Sequence, residues 1–140
     1  MPVGRRIRWG VGLACVLALV WSATAGAAST KVATASVSFT VGADGRCHAV
    51  STATWTGYRV NRVRHIFYRD GHSGEDYAWF STTGLPKGTA NNSGTMTSAS
   101  GVAAAPGEGW YVRDLFRSNG GAILAEANSP VEYAPADCPP

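Results

Sequence analysis

The densest polar run in the chain is Arg69-Asp70-Gly71-His72-Ser73-Gly74-Glu75-Asp76. It holds serine, histidine and acid, the residue types of a hydrolytic triad. It also offers four oxygen donors for a calcium ion, on Asp70, Ser73, Glu75 and Asp76. Neither chemistry fits the spacing. A triad needs side chains that converge from separate elements, with the base oriented by a buried acid; neighbours on one turn do not converge. Gly71-His72-Ser73-Gly74 lacks the spacing of a nucleophile elbow, and the oxygens miss the intervals of an EF-hand. The run reads as a solvated turn. His48, His65 and His72 are scattered without metal-ligand spacing. His65 alternates with Val63 and Phe67, which places it inward as a hydrogen-bonded core histidine rather than a ligand or base. No phosphate-binding loop, dinucleotide glycine pattern, zinc motif or heptad repeat is present. The sequence therefore asks for no catalytic residue, metal or cofactor, and the chain reads as a non-enzyme.

Binding chemistry is better represented. On a strand, Tyr77 and Trp79 point one way while Ala78 and Phe80 point the other. With Phe80 assigned to the core, Tyr77 and Trp79 are exposed. Arg62 and Arg64 share the face opposite Val63. The two segments are expected to form a hairpin, which brings the four side chains near one another. Flat rings stack on sugars, and guanidinium groups bond hydroxyls and carboxylates, so the set Arg62, Arg64, Tyr77 and Trp79 suits a glycan or protein partner. The alternative is that Tyr77 and Trp79 pack the core and Phe80 faces a rim.

The elements that position these residues are strands. Residues 29–140 contain eleven Thr and nine Val against three Leu and one Met, a composition rich in β-branched residues and poor in helix formers. Alternation recurs along the chain. Val37, Phe39 and Val41 mark a first strand, closed by Asp44-Gly45. Cys47, Ala49, Ala53 and Trp55 mark a second, Tyr58–Arg69 a third and Asp76–Thr82 a fourth. Asn92–Ser98 is a weak fifth, and Ser100–Gly109 reads as a mobile loop. The last two strands, Trp110–Ser118 and Gly121–Ser129, flank Asn119-Gly120, the preferred pair of a type I′ turn. A two-residue loop sets Phe116 opposite Ile123 and Arg113 opposite Glu126. It puts Trp110, Val112 and Phe116 on one face with Ile123, Ala125 and Ala127. Asp114 falls on that apolar face too, a conflict unless it lies at an edge or the turn is longer. Seven short strands predict an all-β chain, a single antiparallel β-sandwich.

Residues 1–28 read as a secretory signal peptide, with Arg5, Arg6 and Arg8 before an apolar run from Gly10 to Trp21 and small residues after it. The apolar run is shorter than the roughly 20 residues that span a bilayer, so no membrane span is expected after processing. The domain is then 29–140, exported from the cell. The whole chain has 12 Lys+Arg against 9 Asp+Glu. Loss of the leader removes three arginines and no acid, which leaves a net charge of zero and argues against nucleic acid as a partner. Cys15 departs with the leader. Cys47 and Cys138 remain, and an even pair outside the cytoplasm is most simply a disulfide. It would pin the Pro-rich tail.

Three stretches resemble the small secreted immunoglobulin-like or fibronectin-III-like domains of actinobacteria: Ala53-Thr54-Trp55-Thr56-Gly57-Tyr58, Val60-Asn61-Arg62-Val63, and the closing hairpin from Tyr111-Val112 through Ser118-Asn119-Gly120-Gly121-Ala122-Ile123-Leu124-Ala125. The chain departs from true immunoglobulin domains in that its penultimate strand has no cysteine. The expectation is a secreted, non-enzymatic sandwich that binds a protein or glycan of the cell envelope or medium. A small-ligand carrier or inhibitor of the secreted apoprotein type is the second reading, and a hydrolytic enzyme the third. Nothing in the sequence sets the oligomeric state.

Overall fold

A computed structural model describes residues 30–71 and 76–139. The expected leader lies outside the described residues, as do His72, Ser73, Gly74 and Glu75 of the polar turn. Among the described residues no helix is long and apolar enough to cross a membrane.

The described chain is all strand: β1 (Val32–Val41), β2 (Cys47–Val60), β3 (Arg62–Arg69), β4 (Trp79–Gly84), β5 (Asn91–Ala103), β6 (Gly109–Arg117), β7 (Ile123–Asn128) and the short β8 (Glu132–Tyr133). They form two antiparallel sheets, one ordered β1-β2-β5 and one ordered β4-β3-β6-β7, with β8 pairing the start of β6. The strand count exceeds the expected seven by β8. The sheets face each other as a sandwich. Its interior is filled at one end by Val37, Ala49, Phe67, Trp110 and Val112, and at the other by Ala53, Trp55, Val60, Val63 and Phe116.

β2 and β3 are separated by a single residue but belong to different sheets. The chain changes layer at Asn61, which is buried. Its backbone N–H donates to Arg117 O at 2.9 Å, and its carbonyl accepts from Leu85 N at 2.8 Å. Its side-chain amide donates to Thr89 O at 2.7 Å and Pro86 O at 3.3 Å. A corner between layers interrupts both ladders, and Asn61 restores the missing bonds.

Several strand limits differ from the sequence reading. β5 runs on through Ala103, so the first residues of the expected mobile loop are paired strand. The last hairpin does not use a type I′ turn, which needs positive φ at both central residues. Asn119 is not at positive φ, and Gly121 is, at 89°. Gly121 N bonds Ser118 O, and Ser118 N bonds Ala122 O, each at 2.9 Å. This is a three-residue loop ending in a left-handed glycine, with a bulge between Phe116 and Arg117. The ladder therefore sets Phe116 opposite Ala125 and Arg113 opposite Asn128. The shift is two residues, so β6 keeps its faces. Ile123, expected inside, pairs with Arg117 beyond the bulge and is exposed.

Cys47 and Cys138 are joined as a disulfide, with Cα atoms 5.5 Å apart across a sequence separation of 91. It lies among Val37, Ala49, Trp110 and Ala134 and ties the tail to the start of β2.

Candidate functional site

Two polar constellations stand out, one sealed in the interior and one on the outer face of the larger sheet. The interior one is built by alternation. Ser51 on β2, His65 on β3 and Asp114 on β6 all point between the sheets, and all three are fully buried. Ser51 Oγ donates to Asp114 Oδ2 at 2.9 Å. His65 Nδ1 lies 2.9 Å from Asp114 Oδ1, and Nε2 lies 2.8 Å from Thr83 Oγ1. A carboxylate only accepts, so the ring proton sits on Nδ1 and Nε2 faces the Thr83 hydroxyl. His65 is inward and hydrogen-bonded, as its alternation predicts. Asp114 does point into the core, on the central strand β6, and its two donors resolve the conflict.

The types are those of a hydrolytic triad, but the wiring is not. Ser51 and Asp114 meet on the same ring nitrogen, and Ser51 gives its proton directly to the acid. The order hydroxyl, imidazole, carboxylate is met by Thr83-His65-Asp114. Thr83 sits opposite Val63, on the inner face of β4. The two clefts beside β4 are lined by Thr82, on the strand's other face. The relay therefore lies on the opposite face of β4 from both clefts, and its hydrogen bonds tie the two layers together.

His48 is occupied as well: Nδ1 lies 2.8 Å from Ser100 O and Nε2 lies 2.8 Å from Asp44 Oδ2. Asp44 is held below the usual carboxylate range, first by the backbone N–H of Arg46 and then by His48. Among the described residues no group of three His, Cys, Asp or Glu side chains is placed to hold a metal ion.

The outer face of the larger sheet carries arginines from two neighbouring strands. Arg62 pairs with Arg117 across the β3–β6 ladder, and Arg64 pairs with Leu115 one step further on. On the β4 side, Arg64 stands opposite Thr82 and Ile66 opposite Phe80. Phe80 therefore belongs to the arginine face, and its ring lies under the Arg64 guanidinium, 4.4 Å from Cζ to centroid. Tyr77 meets Phe80 edge-on at 5.4 Å. Trp79 is exposed, as the sequence reading expects, but on the opposite side of β4 from the arginines. It pairs with the buried Phe67, on the inner side of β4, and its indole covers Gly101 of β5, where a Cβ would come within 2.6 Å of the ring. Of the expected set, the structure gathers Arg62, Arg64 and, through Phe80, Tyr77; Trp79 closes the seam between the sheets instead. Arg117 was missed, although its place in an alternating strand put it on the same face as Arg113.

Arg62, Arg64, Phe80, Thr82 and Arg117 line a cleft of about 240 Å³. A second cleft, of about 470 Å³, is lined by Asn61, Arg62, Thr82, Gly84, Leu85, Lys87 and Asn119. They share Arg62 and Thr82, so the two clefts are neighbours along one groove face. At the far end of the face Arg113 is neutralised: Nε and Nη2 bond the two Glu126 oxygens at 2.6 and 2.8 Å. That bond, ahead of the opposite charge itself, raises the Arg113 pKa and lowers that of Glu126. Tyr68 and Tyr111 stack beside it, 5.0 Å apart. Among the described residues no carboxylate pairs with Arg62, Arg64, Lys87 or Arg117. Arg64 Nε and Arg117 Nε are shielded from solvent and find no acceptor.

Comparison of the chain with protein-family models, with curated proteins and with solved structures returns no match.

Proposed function

We propose that the chain is a secreted, non-catalytic β-sandwich whose outer β4-β3-β6 face binds an extracellular partner, protein or glycan. The observation that carries this reading is the unneutralised arginine group. Like charges directly opposite on neighbouring strands destabilise a sheet, and Arg62 faces Arg117 with no acid among the described residues paired to either. Such a local conflict is retained where it serves binding. The cross-wired Ser51-His65-Asp114 network supports a non-catalytic role, since its only serine is sealed and committed to the acid. The Cys47–Cys138 pair supports an oxidising compartment. Three strands facing five, with a layer change at Asn61, support kinship with immunoglobulin-like and fibronectin-III-like domains. A carrier of small apolar ligands is less well supported: the apolar cleft beside the disulfide is about 140 Å³, under the roughly 300 Å³ at which ligand pockets begin.

Cosedimentation with envelope material of the producing cells tests the reading. The double variant Arg64→Ala/Arg117→Ala is expected to lose at least about tenfold in retention, one charge-assisted bond's worth or more. Thr54→Ala, on the outer face of the opposite sheet, is expected to change nothing. Equal retention of wild type and the arginine variant would end the proposal.

A further inference from the structure

We infer that the groove is an oxyanion site for an acidic glycan. The polyanion would run from the Arg62-Arg64-Arg117 cleft, over Arg62 and Thr82, into the cleft of Lys87 and Asn119. This deepens the reading above and rests on it.

The chemistry starts from spacing. Strand partners lie about 5 Å apart at Cα and alternate residues about 7 Å apart, so the three arginines rise from one small patch of the sheet. A guanidinium presents a planar fork that matches a carboxylate, sulfate or phosphate in two parallel bonds. Arg113 shows what that fork does on this surface when an internal acid is available: it takes both Glu126 oxygens. Among the described residues Arg62, Arg64 and Arg117 have no such acid. Phe80 positions Arg64 by lying beneath it rather than by offering its own face.

The second cleft supplies neutral donors. Asn119 Oδ1 accepts from Gly88 N at 2.8 Å, which leaves its amide N–H groups directed elsewhere, and Thr82 adds a hydroxyl. Hydroxyl-bearing units thus fit beside the anionic one, with Lys87 at the far end for the next charge. A protein partner fits less well. Protein interfaces centre on exposed apolar or aromatic anchors. Here Phe80 and Tyr77 are exposed but meet edge-on at the border of the arginine group, and Leu115 beside the guanidinium groups is buried, so the middle of the groove offers charge rather than an apolar anchor.

The test is calorimetric titration of the disulfide-intact protein with four probes: a galacturonate hexamer, a sulfated hexasaccharide, maltohexaose and hexaglutamate. Binding is expected for the galacturonate hexamer, the sulfated probe, or both, the two arms telling carboxylate from sulfate. Maltohexaose is expected to be at least about a hundredfold weaker, the loss of two charge-assisted contacts. Arg62→Lys/Arg64→Lys/Arg117→Lys keeps the charge and removes the forks, and is expected to weaken the acidic probe about tenfold. Arg113→Lys is expected to change nothing. Thermal unfolding checks that each variant is folded, and Arg64→Lys alone serves if the triple variant is not. Hexaglutamate binding as tightly as the acidic sugars, or undiminished binding by the lysine variant, would reduce the site to diffuse charge and overturn the inference. If none of the acidic sugars binds while retention on envelope material still depends on Arg64 and Arg117, the glycan falls and the binding face stands. If retention is independent of the arginines, the face itself falls.

Discussion

Asp114 occupies the middle of an apolar interior and is tolerated there because Ser51 and His65 both donate to it. Removing the acid strands two buried donors at once, which costs more than the bonds themselves were contributing. Asp114→Ala is expected to lower unfolding stability by about 3 kcal/mol and Ser51→Ala by about 1 kcal/mol, read from urea denaturation midpoints at constant slope. Equal small losses from both would mean that the network is not cooperative. The inward phase of Asp114 and of His65 was legible, since each alternates with core residues on its own strand. Their meeting was not: Ser51, His65 and Asp114 come from three strands in two sheets, and only the strand order sets them side by side. Trp79 and Phe80 show the opposite failure. Adjacent aromatics at a strand's start have no internal phase, so assigning Phe80 to the core was arbitrary, and the deciding neighbour, Gly101, lies in a distant strand.

At the scale of elements, composition and alternation sufficed to place most strands, because a half-buried strand leaves a period-two trace. What they missed were the places where backbone geometry departs from the ladder. Gly121 adopts φ 89°, and a Cβ there would stand 3.0 Å from Arg62 Nη2. Gly121→Val is therefore expected to cost about 1–2 kcal/mol for the left-handed backbone and to displace Arg62 as well, so stability and acidic-probe binding should fall together. A variant with lost stability and intact binding would uncouple the hairpin from the groove. The β6–β7 pair Arg113–Glu126 gives a pH signature. Its carboxyl is lowered in the fold by the Arg113 hydrogen bond, so its contribution is present above the unfolded carboxyl range and is lost as pH falls through the folded value. The pair is exposed, so the gap between wild type and Glu126→Gln should be only about 0.5 kcal/mol at pH 7 and shrink as acid protonates the carboxylate. A gap that widens in acid would show that some other group carries the effect.

On the scale of the whole molecule, net charge proved the wrong measure of surface chemistry. Residues 29–140 sum to zero and still segregate their charge. The outer face of the β1-β2-β5 sheet is a neutral lattice of hydroxyls, with Thr34, Thr54 and Thr95 in one row and Ser36, Thr52 and Thr97 in the next, while Arg62, Arg64 and Arg117 collect on the opposite sheet with no acid paired to them among the described residues. The disulfide operates at the same scale, since it joins the first core residue of β2 to the last structured turn. Closing a loop of that length removes about 4–5 kcal/mol of unfolded-state entropy in the chain-entropy picture. Local consequences come in addition: Gly107 N bonds Ala134 O, Ala134 N bonds Glu108 O, each at 2.9 Å, and β8 pairs only with the first two residues of β6. With the tail untethered these bonds are the most exposed to fraying. Cys47→Ser/Cys138→Ser is expected to lose about 4 kcal/mol in urea denaturation and to expose the amides of Glu132–Ala134 to hydrogen exchange far ahead of those in β3 and β6. The arginine groove lies at the other end of the larger sheet, beside Asn61 and the β6–β7 turn. Acidic-probe affinity of the folded serine variant should therefore match wild type. Loss of affinity without unfolding would mean that the tail and the groove are coupled through the sandwich.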